Sequence, residues 1–297
     1  MLSISQNEQN FFCIEWIPSE IGPNVLRYKK IKFPAPENNY KNFLDDILSN
    51  INIDSQNDSN TLTLSLDINN IGLTSFNYDP LIPFQEYKVW YEDRILGPYV
   101  KENYDIYYYN LHDTENTVMV IYISKLVKKN ILDSCKKNKY RLLHLGVDIF
   151  SANFSTNMFG SQKYDNYVLW KILKNNFHMI TYYEKGILKH VMKIKKTNSL
   201  ETVFSIGDKI TKDKLEKMLY KLLINQRKNS KIIEFDQVYI YQNKTDSSQI
   251  KKIKIRSSKK IKIMDIGSSF LRKKVNKIQY NLLPYNENGN SLRGIDV

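Results

Sequence analysis

Strand-like alternation of apolar and polar positions dominates this chain and is interrupted by short stretches with helical spacing. Residues 1–10 are polar and are expected to fray. Phe11 to Trp16 reads as a strand. Val25 to Phe33, where Leu26, Tyr28, Ile31 and Phe33 fall among basic residues, reads as a second strand antiparallel to it. Pro34 and Pro36 stop that strand. Tyr40, Phe43, Leu44, Ile47 and Leu48 fall at i, i+3, i+4, i+7 and i+8, one face of a short helix. Leu62–Leu66 and Ile71–Phe76 flank Asn69-Asn70 and read as a hairpin. Phe84 to Leu96 is predicted helical, ending near Gly97-Pro98, and Tyr104 to Leu111 is a tyrosine-rich strand. Val118 to Ile123 is strongly apolar and is expected at the centre of a sheet. Ser124 can cap a helix with Val127, Ile131, Leu132 and Cys135 on one face, and Leu142 to Phe150 follows as a strand. Val118–Phe150 therefore predicts a parallel strand–helix–strand unit.

A Ser/Asn/Gly stretch from Ser151 to Gln162 marks a boundary. Beyond it come three strands, Tyr167–Leu173, Phe177–Tyr183 and Ile187–Ile194, with Asn175-Asn176 and Lys185-Gly186 as turns. Thr211 is expected to cap a helix whose Leu215, Met218, Leu219, Leu222 and Leu223 share a face. Phe235–Gln242 reads as a strand, and basic strands follow at Lys251–Arg256 and Ile261–Met264. In each half, antiparallel strands precede a helix and a further strand. The expectation is an α/β fold with mixed sheets in two related halves, the grammar of a ribonuclease-H-like or actin-like protein. The halves are placed at 1–160, with an inserted subdomain at about 36–116, and at 161–285, with a polar tail at 286–297. No short-period repeat supports a solenoid.

Composition narrows the setting. The 297 residues carry a formal charge of +13, with 37 Lys against 7 Arg, 32 Asn and two Ala (Ala35, Ala152). That usage fits A/T-rich coding, so part of the lysine excess reflects codon choice. Location is more informative. Lys251, Lys252, Lys254, Arg256, Lys259, Lys260, Lys262, Arg272, Lys273, Lys274 and Lys277 face a single Asp265 between residues 250 and 277, a local +10. Such a patch suits an anionic partner: nucleic acid, a lipid surface or an acidic protein. The longest apolar run, Thr117 to Ile123, is far short of the ~20 residues a membrane helix needs. The first residues lack the basic-then-apolar pattern of a signal peptide, and a reducing, cytoplasmic setting is expected.

Catalytic motifs are missing. There is no P-loop, dinucleotide fingerprint or nucleophile elbow. Cys13 and Cys135 lie in apolar elements and read as buried small hydrophobes, too few for a disulfide framework or a four-ligand zinc site. His178 and His190 could face each other across the meander, as a ligand pair or as a hydrogen-bonded one. Tyr104, Tyr107, Tyr108 and Tyr109 read as the two faces of one strand, with base stacking as the alternative. The one Asp-x-Gly turn, Asp265-Ile266-Gly267 followed by Ser268 and Ser269, is a weak phosphate-turn candidate and otherwise a capped strand-to-helix turn. No catalytic or metal-binding residue is assigned.

From about Phe12 to Arg293 the layout resembles PilM, the actin-like cytoplasmic protein of type IV pilus and related secretion platforms. Ile14-Glu15-Trp16 through Leu26-Arg27-Tyr28 resembles that family's first hairpin, and Glu86–Tyr109 the region before its inner strand. Val118–Ser124, the helix to Lys139 and His144–Ala152 resemble its strand, helix and return strand. Val168–Ile194 resembles the opening of its second half, and Asn290–Gly294 its ending. Actin-like ATPases grip phosphate with an Asp-x-Gly turn in each half. Here those positions read Trp16-Ile17-Pro18-Ser19 and Leu169-Trp170-Lys171-Ile172, and the adenosine-side glycine pair is missing after Phe235–Gln242.

The resemblance implies a scaffold that has lost its nucleotide, like the cytoplasmic domain of GspL-type secretion proteins. Ile278-Gln279-Tyr280-Asn281-Leu282-Leu283-Pro284-Tyr285 resembles the I-N-L-L-P peptide by which the membrane protein PilN docks into PilM; it also reads as an apolar strand ended by proline. The expected function is a non-enzymatic adaptor beneath the inner membrane with a PilN-like partner, an anionic lipid surface and a homo-oligomer as further partner expectations. A nucleic-acid-binding protein using the 250–277 segment, and a divergent ATPase holding ATP and magnesium, are the alternatives.

Overall fold

A computed structural model of the chain describes residues 1–7, 10–17, 24–32, 40–50, 60–147, 149–153, 165–224, 235–242 and 261–263. The first sheet is built on β1 (Leu2–Asn7) and β4 (Thr61–Leu66), which run parallel, with Ile4 opposite Leu64. β2 (Asn10–Ile17) pairs antiparallel with β1, and β3 (Asn24–Lys32) antiparallel with β2. β8 (Arg141–Val147) closes the other side, parallel to β4, giving the order β3-β2-β1-β4-β8. One face is apolar: Leu2, Ile4, Phe11, Cys13, Leu62 and Leu64 pack against helix α1 (Tyr40–Asn50) and helix α4 (Lys125–Lys137). Asp45 ties the two helices, accepting from Lys137 Nζ at 2.8 Å and Asn138 Nδ2 at 3.1 Å.

The second sheet repeats this plan. β9 (Asn166–Ile172), β10 (Phe177–Glu184) and β11 (Ile187–Lys196) form the antiparallel meander, and β12 (Leu200–Ile206) adds an edge strand. β13 (Gln237–Gln242) and β14 (Ile261–Ile263) lie parallel on the other side of β9. The order β12-β11-β10-β9-β13-β14 contains the first sheet's order and strand directions. Val168, Trp170, Ile180, Met192 and Ile194 face helix α5 (Lys209–Leu223), which contributes Leu215, Met218, Leu219, Leu222 and Leu223. The two halves are therefore topological copies.

Between β4 and α4 the chain makes a long excursion. β5 (Gly72–Asn77), β6 (Tyr104–Asn110) and β7 (Thr117–Ser124) form a separate antiparallel sheet with β7 in the middle. Its outer face carries helix α2 (Phe84–Tyr91), a π-helical turn at Glu92–Leu96 and helix α3 (Gly97–Asn103). Val118, Val120, Phe76, Tyr108 and Tyr91 form the core there. The inner face, through Met119, Leu73 and Ile121, packs with Leu169, Met179 and Val191 of the second sheet. The 111–116 loop adds polar ties. Glu115 Oε1 accepts from the Lys209 backbone N–H at 3.0 Å, and Lys189 Nζ donates to the His112 carbonyl.

Several expectations from sequence are corrected. Residues 2–7 are not frayed: β1 is central. Its Ser3, Ser5 and Gln6 look polar but are buried: the serines lie on the face away from the helices, and Gln6 Oε1 accepts from the Asp67 N–H at 3.4 Å. Thr63 Oγ1 donates to Ser3 Oγ at 2.9 Å, and Ser65 Oγ lies 3.0 Å from Ser151 Oγ. Leu62–Leu66 and Ile71–Phe76 do not form a hairpin; they belong to different sheets. Val118–Phe150 is not a parallel unit either. β7 pairs antiparallel with β5 and β6, and the parallel neighbour of β8 is β4. The strand predicted to Phe150 stops at Val147, and 149–153 is helical. Leu132 is exposed, whereas Ile131 and Cys135 are buried. Asp208 rather than Thr211 caps α5, accepting from the Thr211 N–H at 2.7 Å and the Thr211 hydroxyl at 3.0 Å. The three-strand meander, the Lys185-Gly186 turn and the buried face of α5 are found as expected.

Gly207 joins β12 to α5 at φ +123°, and a Cβ there would lie 2.3 Å from His190 Nδ1 and 2.6 Å from the Lys189 carbonyl oxygen. Backbone strain and overpacking act together at this position. Gly207→Ala is expected to cost about 2 kcal/mol or more, read as a lower urea midpoint at unchanged m-value.

Candidate functional site

The place where the halves meet holds a pocket of about 190 Å³. It lies beyond the end of β4 and beside the β9–β10 turn. From the first half come Asp67, Ile68 and Asn69, and Ile149 from the crossover; from the second come Lys171, Leu173, Lys174, Asn175, Phe177, Met179 and Lys193. Asp67 is nearly fully buried and its carboxylate is committed to its own turn: Oδ1 accepts from the Asn69 N–H at 2.8 Å and from Asn69 Nδ2 at 2.6 Å. Lys193 Nζ crosses the pocket to donate to Asn69 Oδ1 at 2.9 Å and sits 5.3 Å from the Phe177 ring centre. Lys171 is 1% exposed on β9. Three lysines against one aspartate make the rim cationic, and Phe177, Met179, Leu173 and Ile149 make the floor apolar.

The turn itself differs from its reading in sequence. The β9–β10 connection is Leu173–Asn176, closed by Leu173 N–H to the Phe177 carbonyl at 2.9 Å. Asn175 and Asn176 take φ of +54° and +59°, a left-handed pair that asparagine tolerates better than most residues. The second half's phosphate-turn position is read in the sequence at Leu169-Trp170-Lys171-Ile172, but these residues lie inside β9 and the turn follows them. Strand alternation turns Trp170 and Ile172 onto the opposite face, toward α5, and the side chains that line the pocket are those of Lys171 and Leu173. The first hairpin's connection joins β1 to β2, with Asn7 opposite Asn10, so it is not at Trp16–Ser19.

His178 and His190 do not face each other. His178 is opposite Ile194, and His190 is opposite Tyr182. Each instead serves the core. Trp170 Nε1 donates to His178 Nδ1 at 3.1 Å, and His190 Nε2 lies 2.8 Å from Ser205 Oγ. Burial, helped by Lys196, lowers the pKa of His178 to about 4. Burial also lowers His190 to about 4, with Asp208 and Asp113 opposing and Lys212 assisting. Burial pushes the Cys13 thiol up to about 12 and Cys135 up to about 11, so neither is a thiolate nucleophile. In the tyrosine strand, Tyr107 and Tyr109 are exposed, while Tyr108 donates to Glu92 Oε1 at 2.6 Å under α2. Among the described residues no cluster of His, Cys, Asp or Glu is arranged to hold a metal ion, and no helix is long and apolar enough to cross a membrane.

Of the sequence-predicted site residues, only Lys262 is described, as the central residue of β14 with its backbone opposite Tyr239. The other basic residues of 250–277, the Asp265-Gly267-Ser268 turn and Asn281-Leu282-Leu283-Pro284 lie outside the described residues. Sequence reading missed Asp67, Asn69, Lys174 and Lys193. The available signal was Asp67-Ile-Asn-Asn after an apolar strand and Lys174-Asn-Asn at a hairpin.

Two sheets of one strand order around a cleft, with a sheet-and-helix insert in the first half, define the actin-like class. Within it the fold is PilM-like. A chain of the PilM–PilN type IV pilus biogenesis complex superposes with a TM-score of 0.61 at 10% identity, over 100% of this chain and 98% of that one. The cytoplasmic domain of EpsL, an inner-membrane component of the Vibrio cholerae type II secretion system, gives 0.45 at 12% identity over 98% and 94%. A Bacteroides thetaiotaomicron protein with actin-like ATPase fold and unknown function gives 0.45 at 15% identity over 98% and 95%. No family model and no curated protein matches the sequence.

The buried histidines carry a pH prediction. Each is neutral when folded and has an ordinary pKa of 6.5 when unfolded, so the unfolded chain binds more protons between pH 6.5 and about 4. Their contribution is complete above that window and is lost as pH falls through it. Urea unfolding is expected to show roughly 3 kcal/mol less stability at pH 5 than at pH 6.5 from this pair; equal stability at the two pH values contradicts the assignment.

Proposed function

We propose that the protein is a non-enzymatic actin-like adaptor of a type IV pilus or type II secretion-like platform, held at the cytoplasmic face of the inner membrane by the N-terminal peptide of a PilN-like bitopic protein. The supporting observation is the end-to-end correspondence of fold with a chain of the PilM–PilN complex. The basic residues between 250 and 277 would add attraction to anionic headgroups, each worth about 1 kcal/mol near such a surface.

The cleft supports a role without nucleotide. At about 190 Å³ the pocket is smaller than the roughly 300–1,000 Å³ of typical small-molecule sites. Phe177, Met179 and Leu173 fill part of its floor, and Asp67 spends its carboxylate on its own turn. The segment Ile278–Tyr285 is proposed as an internal counterpart of the partner peptide that competes with it for binding.

Calorimetry separates these statements. A PilN-type N-terminal peptide is expected to bind with a Kd of about 10 µM or tighter, and deleting Gln279–Tyr285 is expected to tighten it. Unchanged affinity in the deletion removes the competition, and absence of binding by either protein removes the adaptor reading. MgATP is expected to give no binding heat up to about 1 mM; a micromolar Kd overturns the nucleotide-free cleft.

A further inference from the structure

The pocket between the halves has walls of two kinds. Lys171, Lys174 and Lys193 set three ammonium groups against the one carboxylate of Asp67, a net +2 among the described lining residues. Phe177, Met179, Leu173 and Ile149 supply an apolar surface beside them. Cation and hydrocarbon side by side, in one small cavity, is a specific combination.

Strand alternation puts the charge there. On β11, Val191 and Lys193 share the face turned to the first half, while Met192 between them faces α5. Lys193 Nζ has neutral partners: Asn69 Oδ1 at 2.9 Å, and the Phe177 ring, whose centre is 5.3 Å away. Lys195 Nζ stands 5.6 Å from the same ring. An amide oxygen and a ring face attract an ammonium group without cancelling its charge. Asp67 is turned the other way, its Oδ1 accepting both bonds from Asn69. Lys171 is 1% exposed, and a charge so far from water is screened little by salt.

Size decides what kind of anion suits these walls. A dry cavity of about 150 Å³ takes up benzene. The pocket's 190 Å³ therefore has room for about one six-membered ring or a short alkyl chain with a single charged group. It falls short of the roughly 300–1,000 Å³ of sites that take larger ligands. A bare inorganic ion would leave the apolar wall uncovered, and a neutral hydrocarbon would leave the lysines without a counter-charge.

We infer that this pocket binds a small organic anion, its carboxylate or phosphate head among Lys171, Lys174 and Lys193 and its apolar body on Phe177 and Met179. Asn69 and Ile149 belong to the first half and the three lysines to the second, so one ligand touches both. It binds the assembled cleft and not the unfolded chain, and stabilises the former by mass action. The inference stands on the pocket and not on the adaptor reading: either of anion binding and peptide binding can fail while the other holds.

Calorimetry on the full chain at about 50 mM NaCl tests it. Benzoate and phenyl phosphate share a ring and differ in the head; benzyl alcohol and benzylamine keep the ring and lose the negative charge; inorganic phosphate keeps a head and loses the ring. At least one of the two aromatic anions is expected to bind with a Kd of about 1 mM or tighter, and the tighter of them identifies the head. The alcohol and the amine are expected to give no binding heat, and inorganic phosphate to bind at least about tenfold more weakly than the better aromatic anion. Lys193→Met is expected to weaken that anion about tenfold with an unchanged thermal melt of the free protein. If that variant does not fold, Lys174→Met, whose side chain is exposed, carries the same expectation. Absence of binding by both aromatic anions overturns the proposal, as does equal binding of benzyl alcohol. Inorganic phosphate binding as tightly as the better aromatic anion, or unchanged affinity in the folded lysine variant, overturns it as well.

Discussion

The parallel pairing at the centre of each sheet constrains everything else. β1 beside β4, and β9 beside β13, are joined on both edges and must be covered on both faces, because parallel strands carry no solvent-facing side of their own. Helices cover one face of each sheet: α1 and α4 in the first half, α5 in the second. The other face of the second sheet is covered by the crossover at 149–153 and by the insert. The meeting of the halves is thus a packing requirement before it is a binding site. The pocket is what remains where the ends of β4 and β9 fail to close completely.

That origin explains the pocket's chemistry. Strand ends expose backbone groups that need partners, so Asp67 caps the Asn69 N–H on one side, and on the other Asn175-Asn176 make a left-handed turn. Lysines then bridge the gap, as Lys193 does to Asn69.

The insert does two jobs with its two faces. Its inner face belongs to the shared core, and Glu115 reinforces that contact by accepting from the first N–H of α5, where the helix dipole favours a carboxylate. The ties from Glu115 and His112 hold the 111–116 loop on the second half, so the two halves and the insert share one core. Its outer face shows aromatic packing between α2 and the sheet, such as Phe76 with Tyr91 at 4.3 Å, and leaves Trp90 toward solvent.

Periodicity, read residue by residue, was enough to find most elements and their buried faces. Leu215, Met218 and Leu219 announce the inner side of α5, and Lys185-Gly186 announces its hairpin, since helical and strand spacing and left-handed turns are local properties of the chain. β1 escaped because its serines are buried on a tightly packed strand face, Ser3 with Thr63 as hydrogen-bond partner, and no hydropathy pattern shows that packing. The turn of the second half was placed at Leu169–Ile172, inside what the structure shows to be β9, because a strand and the turn after it share no hydropathy signal that fixes where one stops. The amino-acid order by itself therefore determined most of the strands and helices and, for most of them, the side that turns inward. Only the folded chain decided who lies beside whom: that β7 joins the insert, that β8 reaches back to β4, and that His178 and His190 part company. The reason is physical, because alternation records that a face is buried, while pairing depends on backbone hydrogen bonds that every residue except proline offers alike.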